Sequence, residues 1–224
     1  MRKVALIVAA GTGSRMKSDV PKQFLLINNK PLLFYTIDAF LKSYDDLKVI
    51  LVLPPEHIAK GQEIIDGFFD KSRITICPGG ATRFHSVKNG LGLIKGEQII
   101  FVHDGVRCLI TTSLIRTCYE RAIEYSTAIP AVECKDSLRI IKKNENKSIS
   151  RDVVRLIQTP QTFHSKILIP AYKIDHKSQF TDDAGVVEAY GVKVHLVEGE
   201  EFNFKITTPL DLKLAEYIIE QRSK

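Results

Sequence analysis

The chain has 224 residues, room for one substantial domain whose core needs no disulfide or metal staple. Hydrophobic residues make up 44% and charged residues 26%, the balance of an ordinary globular protein, which excludes a fibrous or disordered chain. With 32 Lys and Arg against 26 Asp and Glu, the net charge of +6 favours small anionic ligands; without Trp or a long basic run, no nucleic-acid partner is predicted.

In chain order, the apolar run Val4–Val8 predicts a first strand, and the basic, glycine-containing loop "AAGTGSRMKSDVPKQF" follows it. Helical spacing covers Leu32–Leu41, Glu56–Phe69, Arg83–Ile94, Ser113–Tyr125 and Ser165–Tyr172. Between these, Lys48–Leu53, Ile74–Cys77, Gln98–Val102, Thr127–Val132 and Val192–Val197 read as strands. Thr181, Asp182 and Asp183 suit an N-cap and first turn. A last helix starts at Thr208 as N-cap with Pro209 in its first turn, its apolar contacts coming from Leu210, Leu212, Leu214, Ile218 and Ile219.

The alternation predicts an α/β fold, a Rossmann-like, mostly parallel sheet with helices on both faces. Lys135–Arg155 breaks the rhythm with two short apolar stretches around the polar turn Lys142–Lys147, the pattern of a protruding β-hairpin arm. A lone hairpin is marginal in water, so the arm is expected to pack on a second copy of the chain. The expected organisation is therefore a single domain over 1–224, with 135–155 as a dimerisation arm. No stretch reaches the ~20 apolar residues that cross a bilayer. The four cysteines, Cys77, Cys108, Cys118 and Cys134, form no C-x-x-C pair. A cytoplasmic protein with reduced thiols and no membrane partner is the expectation.

In sheets of this kind ligands collect at the carboxyl ends of the strands. Three polar motifs, "AAGTGSR", "PGGATR" and "VHDGVR", directly follow predicted strands. The first is not a Walker A loop, because Gly11 has no glycine five residues on, where Met16 stands. Nor is it a dinucleotide fingerprint: Met16 stands where the third glycine belongs, and the second strand runs into Pro54-Pro55 without a ribose-binding acid. What remains is a loop whose N–H groups and Arg15 grip a triphosphate while Lys22 reaches the reacting phosphorus, as nucleotidyl transfer requires.

The motifs "AAGTGSRM…PKQF", "PGGATRFHSVKNGL", "VHDGVR", "RLIQTPQTF", "FTDDAGVVEAYG" and "NFKITTPLDLKLAE" together resemble the 2-C-methyl-D-erythritol 4-phosphate cytidylyltransferase family, in the family's order and from residue 9 to 216. The resemblance implies transfer of CMP from CTP to methylerythritol phosphate, with release of pyrophosphate, in non-mevalonate isoprenoid biosynthesis. It implies a nucleotide-binding set of Ala9, Ala10, Gly11, Gly13, Gly80 and Ser86, with Ala10 and Gly80 at the cytosine edge. Arg15, Lys22 and Lys205 correspond to the catalytic cations around the α-phosphate. Asp104, Arg107, Ser137, Arg151 and Thr181 correspond to the acceptor-binding set, Ser137 and Arg151 reaching from the arm into a partner's site. Mg²⁺ is implied as cofactor, held mainly through the CTP phosphates, with no protein ligand readable from the sequence. Cys108 stands where the family usually has Pro, and Ser137 where Thr is common.

His103 beside Asp104 invites reading as an acid–base pair, but adjacent strand residues face opposite sides, so a packed, hydrogen-bonded histidine is expected. Two other functions remain open at this point: a ribitol 5-phosphate cytidylyltransferase, which shares the glycine loop, "TPQ" and "K-x-T-T-P", and a noncatalytic nucleotide sensor.

Overall fold

The computed structural model describes residues 1–11, 20–143 and 145–222. Strand β1 (Arg2–Val8) is central; two short paired strands, β2 (Leu26–Ile27) and β3 (Lys30–Pro31), precede helix α1 (Leu32–Ser43). Strand β4 (Lys48–Leu53), helix α2 (Ile58–Phe68), strand β5 (Ile74–Pro78), helix α3 (Arg83–Leu91) and strand β6 (Gln98–Asp104) follow in strict alternation. Helix α4 (Thr112–Tyr125) leads to strand β7 (Thr127–Glu133), and then to a hairpin of β8 (Leu138–Lys142) and β9 (Glu145–Ile149). The chain returns through β10 (Arg155–Ile157) and β11 (Gln161–His164) to helices α5 (Ser165–Ala171) and α6 (Asp183–Ala189). Strand β12 (Leu196–Glu198) and helix α7 (Pro209–Arg222) complete the described chain.

The main sheet runs β10-β7-β11-β6-β1-β4-β5, with β12 also paired to β7. β6, β1, β4 and β5 are mutually parallel; β6, β1 and β4 are buried on both faces, which explains their nearly continuous apolar runs, while β5 at the sheet edge is partly exposed. Alternate side chains serve opposite layers. Ala5 and Ile7 of β1 join Leu33, Ile37 and Phe40 of α1 in one cluster, while Val4 and Leu6 join Phe84 and Val87 of α3 in the other. A third, smaller cluster sets Ile218 of α7 against Leu32, Val106 and Ile206.

Two glycines permit close approaches. A Cβ on Gly90 would lie 2.2 Å from Leu6 Cδ1, so α3 can lie directly on β1. A Cβ on Gly79 would lie 2.7 Å from that of Ala10, which lets the ends of β5 and β1 converge.

The structure differs from the sequence reading in several places, the short strands β2, β3 and β10 among them. β11 lies antiparallel between β6 and β7, a strand not foreseen in "QTF" because four residues carry too little periodicity to be distinguished from loop. The run Val192–Val197 yields strand only at Leu196–Glu198. Val192 N–H instead closes the end of α6 on the Val187 carbonyl, and His195 N–H goes to the Thr127 hydroxyl, so the ladder donors are engaged elsewhere. The expected polar turn Lys142–Lys147 is narrower, since β9 already begins at Glu145, opposite Lys142. The predicted helix Arg83–Ile94 stops at Leu91, where Gly92 N–H bonds back to the Lys88 and Asn89 carbonyls.

The four cysteines are free and buried, and burial pushes the Cys108 and Cys118 thiols up to about 12. No helix among the described residues is long and apolar enough to cross a membrane.

Candidate active site

A cavity of about 430 Å³ opens at the carboxyl ends of β1, β5 and β6. Parallel strands deliver the loops after them to one rim, so "AAG", "GGATR" and "HDGV" meet there although they are far apart in sequence.

One wall is backbone. Ala9, Ala10 and Gly11 leave β1, with Ala9 N–H held by the Val52 carbonyl at 2.9 Å and the Ala9 carbonyl accepting from Gln23 Nε2 at 3.0 Å. Facing them, Gly80 N–H donates to the buried Ser86 Oγ at 3.0 Å, and that hydroxyl donates to the Thr82 carbonyl at 3.0 Å. Thr82 caps α3 by accepting His85 N–H at 3.3 Å. Ser86 thus sets the path of the turn. The amino end of α3, with its positive dipole, borders the cavity.

The rest of the lining is charged. Lys22, in a short 3-10 turn at Lys22–Phe24, is buried and its ammonium donates to the Ile206 carbonyl at 3.4 Å. Lys205 donates to Asp104 Oδ2 at 2.7 Å, and Arg83 Nε donates to Asp104 Oδ1 at 3.2 Å. Burial alone would push the Asp104 carboxyl up; the charges of Arg83, Lys205 and Arg107 outweigh it and hold the group well below the usual carboxylate range. Asp104 is therefore an anion clamped between two cations.

His103 points into the protein. Its Nε2 donates to the Arg107 carbonyl at 3.2 Å, which leaves Nδ1 to accept from the Thr159 hydroxyl at 3.0 Å. Thr159 Oγ1 in turn accepts Asp104 N–H at 3.1 Å. Burial pushes the His103 imidazole down to about 3, against the nearby Asp104 charge. The packed histidine expected from strand alternation is what is found.

The model of the 2-C-methyl-D-erythritol 4-phosphate cytidylyltransferase (IspD) family matches residues 3–221. The chain belongs to this family. It is 44% identical over 219 residues to the 2-C-methyl-D-erythritol 4-phosphate cytidylyltransferase of Bacteroides thetaiotaomicron, covering 98% of this chain and 100% of that protein. Among solved structures, it is similar to the 4-diphosphocytidyl-2C-methyl-D-erythritol synthase of Anaerococcus prevotii, with a TM-score of 0.83 and 27% identity over 98% of each chain. The 2-C-methyl-D-erythritol 4-phosphate cytidylyltransferase of Thermus thermophilus gives 0.78 and 33%, over 98% of this chain and 100% of that one.

Of the residues singled out for this IspD-family chain, Ala9, Ala10, Gly11, Gly80, Ser86, Lys22, Lys205 and Asp104 line the same cavity. Gly13 and Arg15 lie outside the described residues. Arg107 sends its guanidinium away from the cavity lining, donating to the Asn203 carbonyl at 2.7 Å; its buried Nε has no hydrogen-bond partner among the described residues. Arg151 borders a separate hollow with Lys135 and Arg155, donating to the Lys135 carbonyl at 2.9 Å. Ser137 and Thr181 are exposed, and the cap of α6 is Asp182, whose Oδ1 accepts Gly185 N–H at 3.0 Å, rather than Thr181. Arg83, Gln23 and Thr207 line the cavity without having been singled out. A signal existed for each in its place within a quoted motif: Arg83 in "PGGATR", Gln23 in "PKQF" and Thr207 in "NFKITTP".

Proposed function

We propose that the chain transfers a cytidylyl group from CTP to 2-C-methyl-D-erythritol 4-phosphate, releasing pyrophosphate. The observation that carries this reading is the pairing of a glycine-and-alanine backbone wall with Lys22 and Lys205 in one cavity of a chain matched by the IspD family model from residue 3 to 221. The backbone wall takes the nucleotide, with the small residues Ala10 and Gly80 at the cytosine edge. The cations take the triphosphate.

In the reaction, an oxygen of the acceptor phosphate attacks the CTP α-phosphorus; the new P–O bond forms as the bond to the β-phosphate oxygen breaks. The acceptor phosphate is largely dianionic at neutral pH, with a second pKa of ~6, so no protein base is required. What the protein supplies is position and charge. Lys22, Lys205 and, by sequence, Arg15 stabilise the negative charge gathering at the α-phosphate. Asp104 accepts from the polyol hydroxyls, and Arg107, Ser137, Arg151 and Thr181 complete acceptor binding. When bound, Mg²⁺ neutralises triphosphate charge. Its ligands would be chiefly the triphosphate oxygens, which fits a lining whose charged groups are mostly cationic, with Asp104 the carboxylate facing the cavity among the described residues.

The same reading takes residues 1–224 as one domain and 135–155 as an arm that reaches a second copy in a homodimer. The hairpin pairs only with itself among the described residues and leaves Ile140 and Ile141 exposed, as is Val153 in the 3-10 turn that follows it, which supports a partner there. Four free, buried thiols support a cytoplasmic location.

The test is pyrophosphate release by the purified protein with CTP and Mg²⁺, comparing methylerythritol phosphate with ribitol 5-phosphate. Release that depends on methylerythritol phosphate is expected. Release only with ribitol 5-phosphate, or with neither, would reject the acceptor or the activity respectively.

A further inference from the structure

Behind the cavity, Arg83 joins two carboxylates. Its Nη1 and Nη2 donate to Asp183 Oδ1 and Oδ2 at 3.0 and 2.7 Å, while Nε donates to Asp104 Oδ1 at 3.2 Å. A guanidinium is planar, so fixing both Nη atoms fixes the direction of Nε. Asp183 is fully buried and does not line the cavity. It is itself pinned: Tyr172 OH donates to Oδ1 at 2.5 Å, and its backbone N–H donates to Gln161 Oε1 at 2.9 Å. Gln161 also donates to Asp182, the cap of α6, and the Tyr172 ring stacks on Phe84 at 4.7 Å. Every member between Tyr172 and Asp104 is thus held in one orientation.

We propose that Asp183 and Tyr172 are positioning residues that act through Arg83 to aim the Asp104 carboxylate at the hydroxyls of the polyol phosphate. The inference rests on the reading of Asp104 as an acceptor-binding group. Two carboxylates and two cations, Arg83 and Lys205, balance in this cluster. Without Asp183, Arg83 carries one anion instead of two and is free to turn, and Asp104 loses its fixed rotamer. Among the described residues, no hydrogen bond joins the nucleotide wall, built from Ala9–Gly11, Gly80 and Ser86, to this chain of contacts.

The experiment is steady-state pyrophosphate release with CTP and methylerythritol phosphate varied in turn. It uses wild type, Asp183→Asn, Tyr172→Phe, Asp104→Asn and the Tyr172→Phe/Asp104→Asn double variant. Asp183→Asn is expected to raise KM for the acceptor about tenfold while KM for CTP stays within about twofold, and Tyr172→Phe to move the acceptor KM about threefold, as loss of one hydrogen bond implies. In the Asp104→Asn background, Tyr172→Phe should add nothing, because both act through the same carboxylate. Tyr172→Phe keeps the stacked ring, so it decides the matter if Asp183→Asn does not fold. Equal shifts of both KM values, or full additivity in the double variant, would overturn the proposal. Wild-type turnover with unchanged Tyr172→Phe kinetics overturns the proposal alone, whereas absent acceptor-dependent turnover in wild type removes the reading of the site together with it.

Discussion

Lys205 and Asp104, 101 residues apart in the chain, meet at 2.7 Å on the rim of the cavity. A lysine bound to a carboxylate in this way is parked and still available: a triphosphate brings far more negative charge than Asp104 does. Lys205→Met should therefore lower kcat by about 10²–10³, the range seen when one preorganised donor to a developing charge is removed. Because Lys205 also balances the largely buried Asp104, the variant should melt somewhat below wild type but stay folded, held by the remaining Arg83–Asp104 pair. Near-normal kcat would remove Lys205 from the catalytic set.

Lys22→Ala addresses the other side of the same charge. The turn that carries it is held independently, by Gln23 on the Ala9 carbonyl and Phe24 N–H on the Pro21 carbonyl, so the fold should survive. Turnover is expected to fall by about 10²–10³ on the same grounds. Circular dichroism and single-turnover rates together separate lost chemistry from lost structure.

Ser86→Ala removes the acceptor for Gly80 N–H and leaves that turn without its support. An unsatisfied, partly buried donor costs about 1–3 kcal/mol, so KM for CTP should rise roughly 5- to 150-fold, while KM for the acceptor changes little. A matching rise in both would place Ser86 in general structure instead.

Arg151→Ala should weaken the acceptor more than CTP. Its guanidinium lies in the hollow beside Lys135, away from the nucleotide wall. Varying each substrate in turn checks this, and equal weakening would contradict the role given to the arm.

The pH dependence of stability follows from His103. Its folded pKa, about 3, lies below the unfolded value near 6.5. Between these values the unfolded chain binds a proton that the folded chain excludes. Stability should be fully present above pH 6.5 and decline as pH falls from 6.5 toward 3. Urea denaturation at about pH 7.5 and about pH 5 measures the difference, and His103→Gln should reduce it. An imidazole signal of His103 that titrates near 6.5 in the folded protein would rule out this cause.

How far the sequence spoke depended on how local the information was. The β1, β4 and β6 strands were legible because both of their faces are buried, so their apolar runs are unbroken, and β5 was legible from its short apolar run before Gly79-Gly80. β11 was not, since a four-residue strand owes its place to the two neighbours it joins, and Phe163 stands opposite Ile100 on one side and Thr127 on the other, both far back in the chain. The cavity's polar motifs were readable as a set. The contact between Asp104 and Lys205 was expected only as a shared pocket, and the link from Tyr172 through Asp183 to Arg83 could not be seen at all. Each of those residues has an ordinary local explanation, Asp183 in the first turn of a helix and Tyr172 at the end of one, and only packing makes them a chain.

The reversed direction of β11 has a consequence for the arm. Gln161 opposes Val102, so the residues entering β11 arrive at the same end of the sheet that β6 leaves, and Thr159 reaches Asp104. The hairpin that precedes β11 is therefore rooted beside the reacting groups, while β11 itself is anchored on both flanks. An arm built this way can vary at its apolar tip without disturbing the sheet register beneath the chemistry, because β11 is tied to β6 and β7 on both sides.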